Sequence, residues 1–527
     1  MEHILRFDRP LPDELAAQLR GLCFNDRTGT TAERDRITVE NPFTGADLGW
    51  VPSATEEDVD VAFERARRAQ KHWAHTPIKE RSAILRRFHD LVLKNRDFLL
   101  DIAQLETGKN RASALDEVLD IAINARHYAT SAARLLSPQR RRGAVPLLTK
   151  TYTYHRPKGV VGQISPWNYP LTLGISDALA AIAAGNAVVA KPDSATPFSL
   201  LACLRLLLEA GLPEDVLQVV TGSGRVVGTA IAQRCDYLMF TGSTATGKIL
   251  GEICGKRLIG YSAELGGKNP MIVARDADIR RCLDSAVLGC LANSGQLCVS
   301  IERIYVEDAI YEEFTKAFAQ RVAATKLGAG FGWDIEMGSL ASRQQLDTVR
   351  AYVEDARDLG ATVLTGGQPR PDLGPYFYEP TVLADVPEAA RLRCEEVFGP
   401  VIYIERVPSV DKAIELCNDT DYGLNSSVLA APATAWAVAP RIEAGSVNIN
   451  DGFSASWGSY DSPLGGMKES GMAHRHGDEG LTKYTDAQTI SEQRIMRLQG
   501  PRWLPRSAYA AIMSALLRAG KTTRLMG

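Results

Sequence analysis

Between Val160 and Leu265, short apolar runs (Val160–Ile164, Ala187–Ala190, Val216–Val220, Tyr237–Phe240 and Leu258–Tyr261) alternate with segments of helical periodicity. Few architectures accept that rhythm. Buried strands separated by helices pair side by side in parallel, because each helical crossover returns the chain to the same edge. The segment therefore predicts βαβ units in a parallel sheet, and with them a nucleotide-binding fold. A second strand–helix series from Met271 to about Val447, with Gly-rich turns at Gly328–Gly332 and Gly366–Gly367, predicts a second α/β domain. Upstream, residues 56 to 136 read as helices, with Ile84, Leu85, Phe88, Leu91 and Val92 at helical spacing. From Leu147 to His155 a Thr- and Tyr-rich alternation predicts an exposed pairing β-ribbon.

Composition narrows the function classes. The chain has 527 residues, enough for two to four domains at roughly 100–200 residues each. Its 60 Lys and Arg against 63 Asp and Glu leave a net charge of −3, so no overall field draws it onto nucleic acid. Nine scattered Cys, without a C-x-x-C pair, fit buried thiols in a reducing compartment, and a cytoplasmic setting is expected. The first twenty residues mix acids and bases without an apolar h-region, so no secretory signal is expected there. Asp177, Gly185 and Asn186 interrupt the most apolar stretch, Ile175–Ala190, which falls short of the run a membrane span needs. From Arg494 onward the chain carries seven Lys or Arg and no acid. Its apolar part, Tyr509–Leu517, could lie in an anionic membrane surface or pack on the body as a helix.

Several segments carry chemistry, each with a plainer alternative. Gly242-Ser-Thr-Ala-Thr-Gly247-Lys248 follows a strand and approaches the P-loop pattern, but Ile249 replaces the hydroxyl that would hold Mg²⁺, which argues against an NTPase. The backbone N–H groups starting near Ser243 could still hold a cofactor pyrophosphate. Gly222-Ser-Gly224-Arg-Val-Val-Gly228 misses the dinucleotide spacing by one place and reads as a tight turn. Cys298, in Asn293-Ser-Gly-Gln-Leu-Cys298, sits in a small-residue loop that could leave its sulfur exposed, whereas Cys203, Cys282 and Cys290 lie in apolar helical patterns. A nucleophilic thiol needs a base, and Glu264 is the best candidate, although a carboxylate beside a strand is ordinarily a surface or cap residue. No metal site is indicated: the pairs His72/His75 and His474/His476 lack ligand spacing and read as solvated.

Taken together the segments resemble the aldehyde dehydrogenase superfamily from about Asn41 to about Thr489. The motifs that carry the resemblance are Asn41-Pro-Phe-Thr-Gly45, Glu106-Thr-Gly-Lys109, Pro166-Trp-Asn-Tyr-Pro170, Lys191-Pro-Asp-Ser194, Phe240-Thr-Gly-Ser243, Glu264-Leu-Gly-Gly-Lys-Asn-Pro270, Gly295-Gln-Leu-Cys298, Glu396-Val-Phe-Gly-Pro400 and Pro463-Leu-Gly-Gly-Met-Lys-Glu-Ser-Gly471. The resemblance implies a Rossmann-like cofactor domain (30–140 and 159–263), an α/β catalytic domain (264–460), a β-ribbon oligomerisation element (141–158 and 484–495) and a basic tail (496–527). It implies homodimers or homotetramers. It gives Cys298 the attack on the aldehyde, Asn168 and the Cys298 N–H the oxyanion, and Glu264 the activation of the hydrolytic water. Having Glu264 argues against the branch that passes the acyl group to coenzyme A. For the cofactor it implies Lys191 on the adenosine ribose, Trp167, Gly242 and Ser243 near the phosphates, Leu265 near the nicotinamide amide, and Glu396 with Phe398 on the nicotinamide ribose.

Within the superfamily the chain looks most like NADP-type succinate-semialdehyde dehydrogenases. Ser194 stands where NAD-preferring members commonly carry Glu, and a neutral residue beside Lys191 admits a 2′-phosphate, so NADP is expected over NAD. Arg303 and Ser300 are the candidate partners for a substrate carboxylate. His476, taken to stand where the family usually has Glu, and the basic tail depart from the pattern. The tail keeps peripheral membrane contact open, and a broad-range, long-chain or aromatic aldehyde dehydrogenase stands as the alternative, beside a non-catalytic binding protein of the same family.

Overall fold

The computed structural model describes residues 5–24, 35–143, 149–494 and 499–521. The expected positions 30–34, 144–148, 495–498 and 522–527 lie outside them.

The first series builds a six-stranded sheet in the order Gly471–Met472, Gly260–Glu264, Tyr237–Thr241, Val160–Ile164, Ala187–Lys191, Leu217–Val219. Its five longer-range strands pair in parallel, and only the edge strand Gly471–Met472 runs antiparallel, with Gly471 opposite Glu264. Val160–Ile164, Ala187–Lys191 and Tyr237–Thr241 are buried at every position, as strands covered on both faces must be. Leu179, Ile182 and Phe198, from Thr172–Ala183 and Pro197–Glu209, belong to one core. Val59, Phe63 and Ile231 belong to another, from Glu56–Trp73 and Thr229–Arg234. A capping box between Thr55 and Asp58 starts the helix Glu56–Trp73. The strand order reverses between Val160–Ile164 and Tyr237–Thr241, and the crevice beyond the carboxyl ends at such a reversal is where open α/β sheets bind ligands.

The second series forms a seven-stranded sheet, Thr362–Thr365, Thr381–Ala384, Val401–Val407, Ile301–Glu307, Asn269–Val273, Asn425–Leu429, Ser446–Ile449, parallel except at the Thr362–Thr365 edge. The link Leu265–Lys268 carries the chain from the last central strand of one sheet into Asn269–Val273 of the other. Both sheets thus meet at Glu264. A third sheet pairs Thr149–Pro157 with Thr485–Gln493 and Gln139–Arg141, antiparallel throughout.

Two segments of the sequence take definite form here. The run Ile175–Ala190 is the end of a fully buried helix followed by a buried strand, and among the described residues no helix is long and apolar enough to cross a membrane. The tail forms the helix Arg506–Gly520, whose Ile512, Leu516 and Leu517 are exposed, so it does not bury an apolar face on the body.

Candidate active site

The strand Val160–Ile164 ends at the turn Ser165–Pro170, which is held by buried charge. Glu117, on the helix Arg111–Leu136, accepts the N–H groups of Leu171 and Thr172 at 2.8 and 3.1 Å. Lys109 pairs with Glu117 and donates to the Asn168 carbonyl at 2.8 Å. Asn293 Nδ2 donates to the same carbonyl at 3.0 Å. Asn168 is fixed from two sides, and its side-chain amide donates to Gln296 O at 3.0 Å, which leaves the second amide hydrogen free for another acceptor.

Cys298 is positioned as tightly. Three consecutive residues before it take the left-handed conformation, Asn293 (φ 51°), Ser294 (φ 57°) and Gly295 (φ 70°). A Cβ at Gly295 would lie 2.2 Å from Gly399 O, so only glycine fits. Non-glycine residues in that region are costly, and such runs cluster where a side chain must be aimed. Asn269 Nδ2 holds the carbonyls of Cys298 and Ser300, both at 2.7 Å. The sulfur is half-buried, whereas Cys203, Cys282 and Cys290 are buried in helices.

Glu264, Asn168 and Cys298 share one cleft of about 670 Å³ with Trp167, Gly242, Ser243, Leu265, Glu396 and Phe398. Burial pushes the Glu264 carboxyl up to about 7, against the pull of Arg475 and Lys483. Burial also pushes the Cys298 thiol up to about 12, and the Glu264 carboxylate adds to that shift while Arg475 opposes it. A carboxyl near 7 is a serviceable base at neutral pH, and a thiol near 12 needs one.

The same cleft suits a nicotinamide dinucleotide. Ser243 caps the helix Thr244–Arg257, whose first N–H groups form an anion site. Glu396 is desolvated enough to be pushed up to about 8, yet among the described residues its carboxylate accepts one hydrogen bond, from Gly267 N–H at 2.9 Å, which leaves acceptor capacity for hydroxyl groups. The Phe398 segment beside it is set by Glu302, which accepts from Val397 and Phe398 and pairs with Lys268. Lys191 and Ser194 lie outside the cleft lining, at the end of the next strand. Lys191 is buried, and its ammonium donates to Pro192 O at 2.9 Å, so it retains donors for a ribose or phosphate. Ser194 Oγ donates to Gly222 O at 3.2 Å, and a Cβ at Gly228 would touch the Lys191 side chain at 3.9 Å. The Gly222–Gly228 turn thus lies beside this pair.

A second chamber, about 940 Å³, adjoins the first through neighbours of Asn168 and Cys298: Tyr169 and Leu297 line it with Phe453, Trp457 and Tyr460. Leu119 and Leu288 stand exposed at its mouth. Its titratable groups other than tyrosine are Asp116 and Asp120, and none of the described residues lining it is Lys, Arg or His. Asp116 lines the chamber, and desolvation pushes its carboxyl up to about 6 against the pull of Lys109.

Several readings are corrected. Arg303 is fully buried and spends its guanidinium on the carbonyls of Lys268, Leu416 and Cys417 at 2.8–3.1 Å, and Ser300 Oγ donates to Cys290 O at 2.9 Å; neither faces the chamber. His476 is not solvated: its ring lies 4.5 Å from that of Tyr460, and burial lowers its pKa to about 3, with Arg475 adding to the shift. His474 is half-exposed and meets Glu479 at 2.7 Å. Lys248 is paired with Glu469 at 2.8 Å, and Ile249 is 61% exposed. The motifs gave no notice of the buried cluster behind Glu264, in which Asp177 pairs with Arg475 at 3.0 Å and Lys483 at 3.3 Å. Arg475 also donates to Thr241 Oγ1 in the cleft wall. These groups are too far apart in sequence for spacing to reveal.

The model of the aldehyde dehydrogenase family matches residues 30–490. This chain belongs to that family. A Mycolicibacterium smegmatis relative, provisionally named an NADP(+) succinate-semialdehyde dehydrogenase, is 52% identical over 487 residues, covering 92% of this chain and 94% of the relative. Among solved structures, an Escherichia coli NADP-dependent enzyme superposes with a TM-score of 0.83 at 33% identity, covering 87% of this chain and 95% of that one. Staphylococcus aureus betaine aldehyde dehydrogenase, in complex with NAD+, gives 0.83 at 32% identity, covering 90% and 94%. In this aldehyde dehydrogenase, Cys298, Glu264 and Asn168 line one cleft.

Proposed function

We propose that the chain oxidises an aldehyde to its carboxylic acid with NADP, using Cys298 as nucleophile, Asn168 as oxyanion donor and Glu264 as base. The convergence of these three side chains in one cleft, beside an anion-binding helix end, carries the reading. The Cys298 sulfur forms a bond to the carbonyl carbon as its proton passes to Glu264. The carbonyl oxygen, now an oxyanion, takes hydrogen bonds from the free Asn168 amide hydrogen and the Cys298 N–H, a contribution commonly worth a few kcal/mol. The nicotinamide ring, when bound, supplies a cationic acceptor for the hydride. Loss of that hydride turns the thiohemiacetal into a thioester on Cys298. Once Glu264 has given that first proton up to solvent, it takes a proton from water as the water attacks the thioester; the carbon–sulfur bond breaks, the Cys298 thiolate that leaves is reprotonated, and the acid departs. Nine free cysteines suit a cytoplasmic setting, and the Thr149–Pro157/Thr485–Gln493 ribbon suits a homodimer or homotetramer.

The NADP reading rests on Ser194 beside Lys191 and on the relatives' names. In Ser194→Glu the NADP/NAD ratio of kcat/KM should fall at least about tenfold, since like charges a few ångströms apart at a protein surface cost on the order of 1 kcal/mol or more. Steady-state kinetics with both cofactors tests this, and an unchanged ratio removes Ser194 from cofactor choice.

Succinate semialdehyde is the substrate those names and the sequence resemblance favour. The second chamber favours another, an aldehyde with an apolar or aromatic tail, because its walls offer aromatic surface and two carboxyl groups but no cation for a substrate carboxylate. The two readings part in kcat/KM measured with NADP for succinate semialdehyde and for hexanal. In either case Asp116→Asn removes a negative charge from the chamber and should raise kcat/KM for succinate semialdehyde about tenfold while leaving hexanal within about twofold. Equal effects on both would mean that Asp116 does not face the substrate tail.

A further inference from the structure

We infer that the C-terminal helix Arg506–Gly520 is a docking element for an anionic phospholipid bilayer, on which it lies flat. The family match ends at residue 490, and this helix lies beyond it. Tyr509, Ile512, Met513 and Leu516 follow one another at three- and four-residue steps and so share one face, with Leu517 at its flank, while Ser507, Ser514, Arg518 and Lys521 fall on the other. Ile512, Leu516 and Leu517 are 45–53% exposed, and Trp503, just before the helix, is 81% exposed. Large apolar side chains in this number are not left in water without a partner surface.

The occupant follows from the charge. From Arg494 to Gly527 the chain has seven Lys or Arg and no acid. Two such tails brought together would set seven positive charges against seven with no acid between them, whereas an anionic lipid surface attracts the charge of either tail. Trp503, flanked by Arg502 and Arg506, has the amphipathic ring and cationic neighbours that suit the headgroup level. At about 1.5 Å per residue the 15-residue helix is roughly 22 Å long, short of a bilayer's hydrocarbon core, so it rests in the interface rather than crossing it.

The test is co-sedimentation of the full-length protein with phosphatidylcholine vesicles, with and without phosphatidylglycerol. The protein should pellet with the anionic vesicles, stay in solution with phosphatidylcholine alone, and be released by raised salt. Leu516→Glu/Leu517→Glu alters exposed positions that do not line the cleft. It should cut the bound fraction about tenfold while leaving NADP reduction and oligomer mass unchanged. Arg502→Glu/Arg506→Glu should weaken binding in the same direction through the charge alone. Failure of the full-length protein to pellet with anionic vesicles overturns the inference. So does undiminished binding of the leucine variant, or a change in its oligomer mass, which would make a second copy of the chain the partner.

Discussion

Cys298→Ala should abolish aldehyde-dependent reduction of NADP, lowering kcat at least about a thousandfold, while the dissociation constant for NADP stays within about twofold. The combination follows from how the residue is held. The loop is fixed through backbone groups, the Cys298 carbonyl by Asn269 and the Gln296 carbonyl by the Asn168 and Asn293 amides, all of which alanine retains. Only the sulfur is lost. No other cysteine can replace it: seven are buried, and Cys394, the remaining one, is exposed and does not line the cleft. Absorbance of the reduced cofactor together with a binding titration decides the matter. Turnover near the wild-type rate would remove Cys298 as nucleophile, and loss of cofactor binding would mean that the thiol shapes the cleft rather than reacting in it.

What the sequence disclosed and what it hid divide along a physical line. Uninterrupted apolar runs such as Val160–Ile164 could be read as parallel strands because burial on both faces removes the polar alternation. Ser243 could be read as the start of a helix, and Cys298 as a loop residue, because caps and small-residue loops are local. The edge strand Gly471–Met472 could not, since two residues carry no period, and its pairing with Ala263 and Glu264 is set by the fold. The surroundings of Glu264 were hidden for a related reason. Asp177 is the only charged residue on its largely apolar helix, and its partners Arg475 and Lys483 come from some three hundred residues later. His476 misled because His-Arg-His reads as a solvated stretch. The backbone turns there through a φ of 56° and buries the second ring against Tyr460. Arg303 misled in the opposite way: its proximity to Cys298 in sequence suggested a substrate contact, but the intervening strand start directs it into the core between two sheet strands and the carbonyl end of the helix Val410–Asn418.

Glu264→Gln tests the other half of the chemistry, and its consequences run in two directions. Glutamine keeps the shape of the side chain but cannot accept a proton, so kcat should fall about a hundredfold to ten-thousandfold. The wild-type enzyme should lose activity as pH falls through about 7, where the Glu264 carboxylate takes up its proton, and this acid limb should vanish in the variant. Reduced cofactor should appear in a single slow burst, with the acyl group left on Cys298 as a mass increase. Hydroxylamine, which attacks a thioester without a base, should restore part of the turnover. Meanwhile the same substitution removes a negative charge that holds the Cys298 thiol up, so the pH at which iodoacetamide alkylates it should move down. A site that had merely lost its packing would lose hydrolysis without making the thiol more acidic. Slower hydrolysis with a more acidic thiol is therefore the outcome that assigns Glu264 to both steps, and an acid limb persisting near pH 7 in the variant would assign the base to another group.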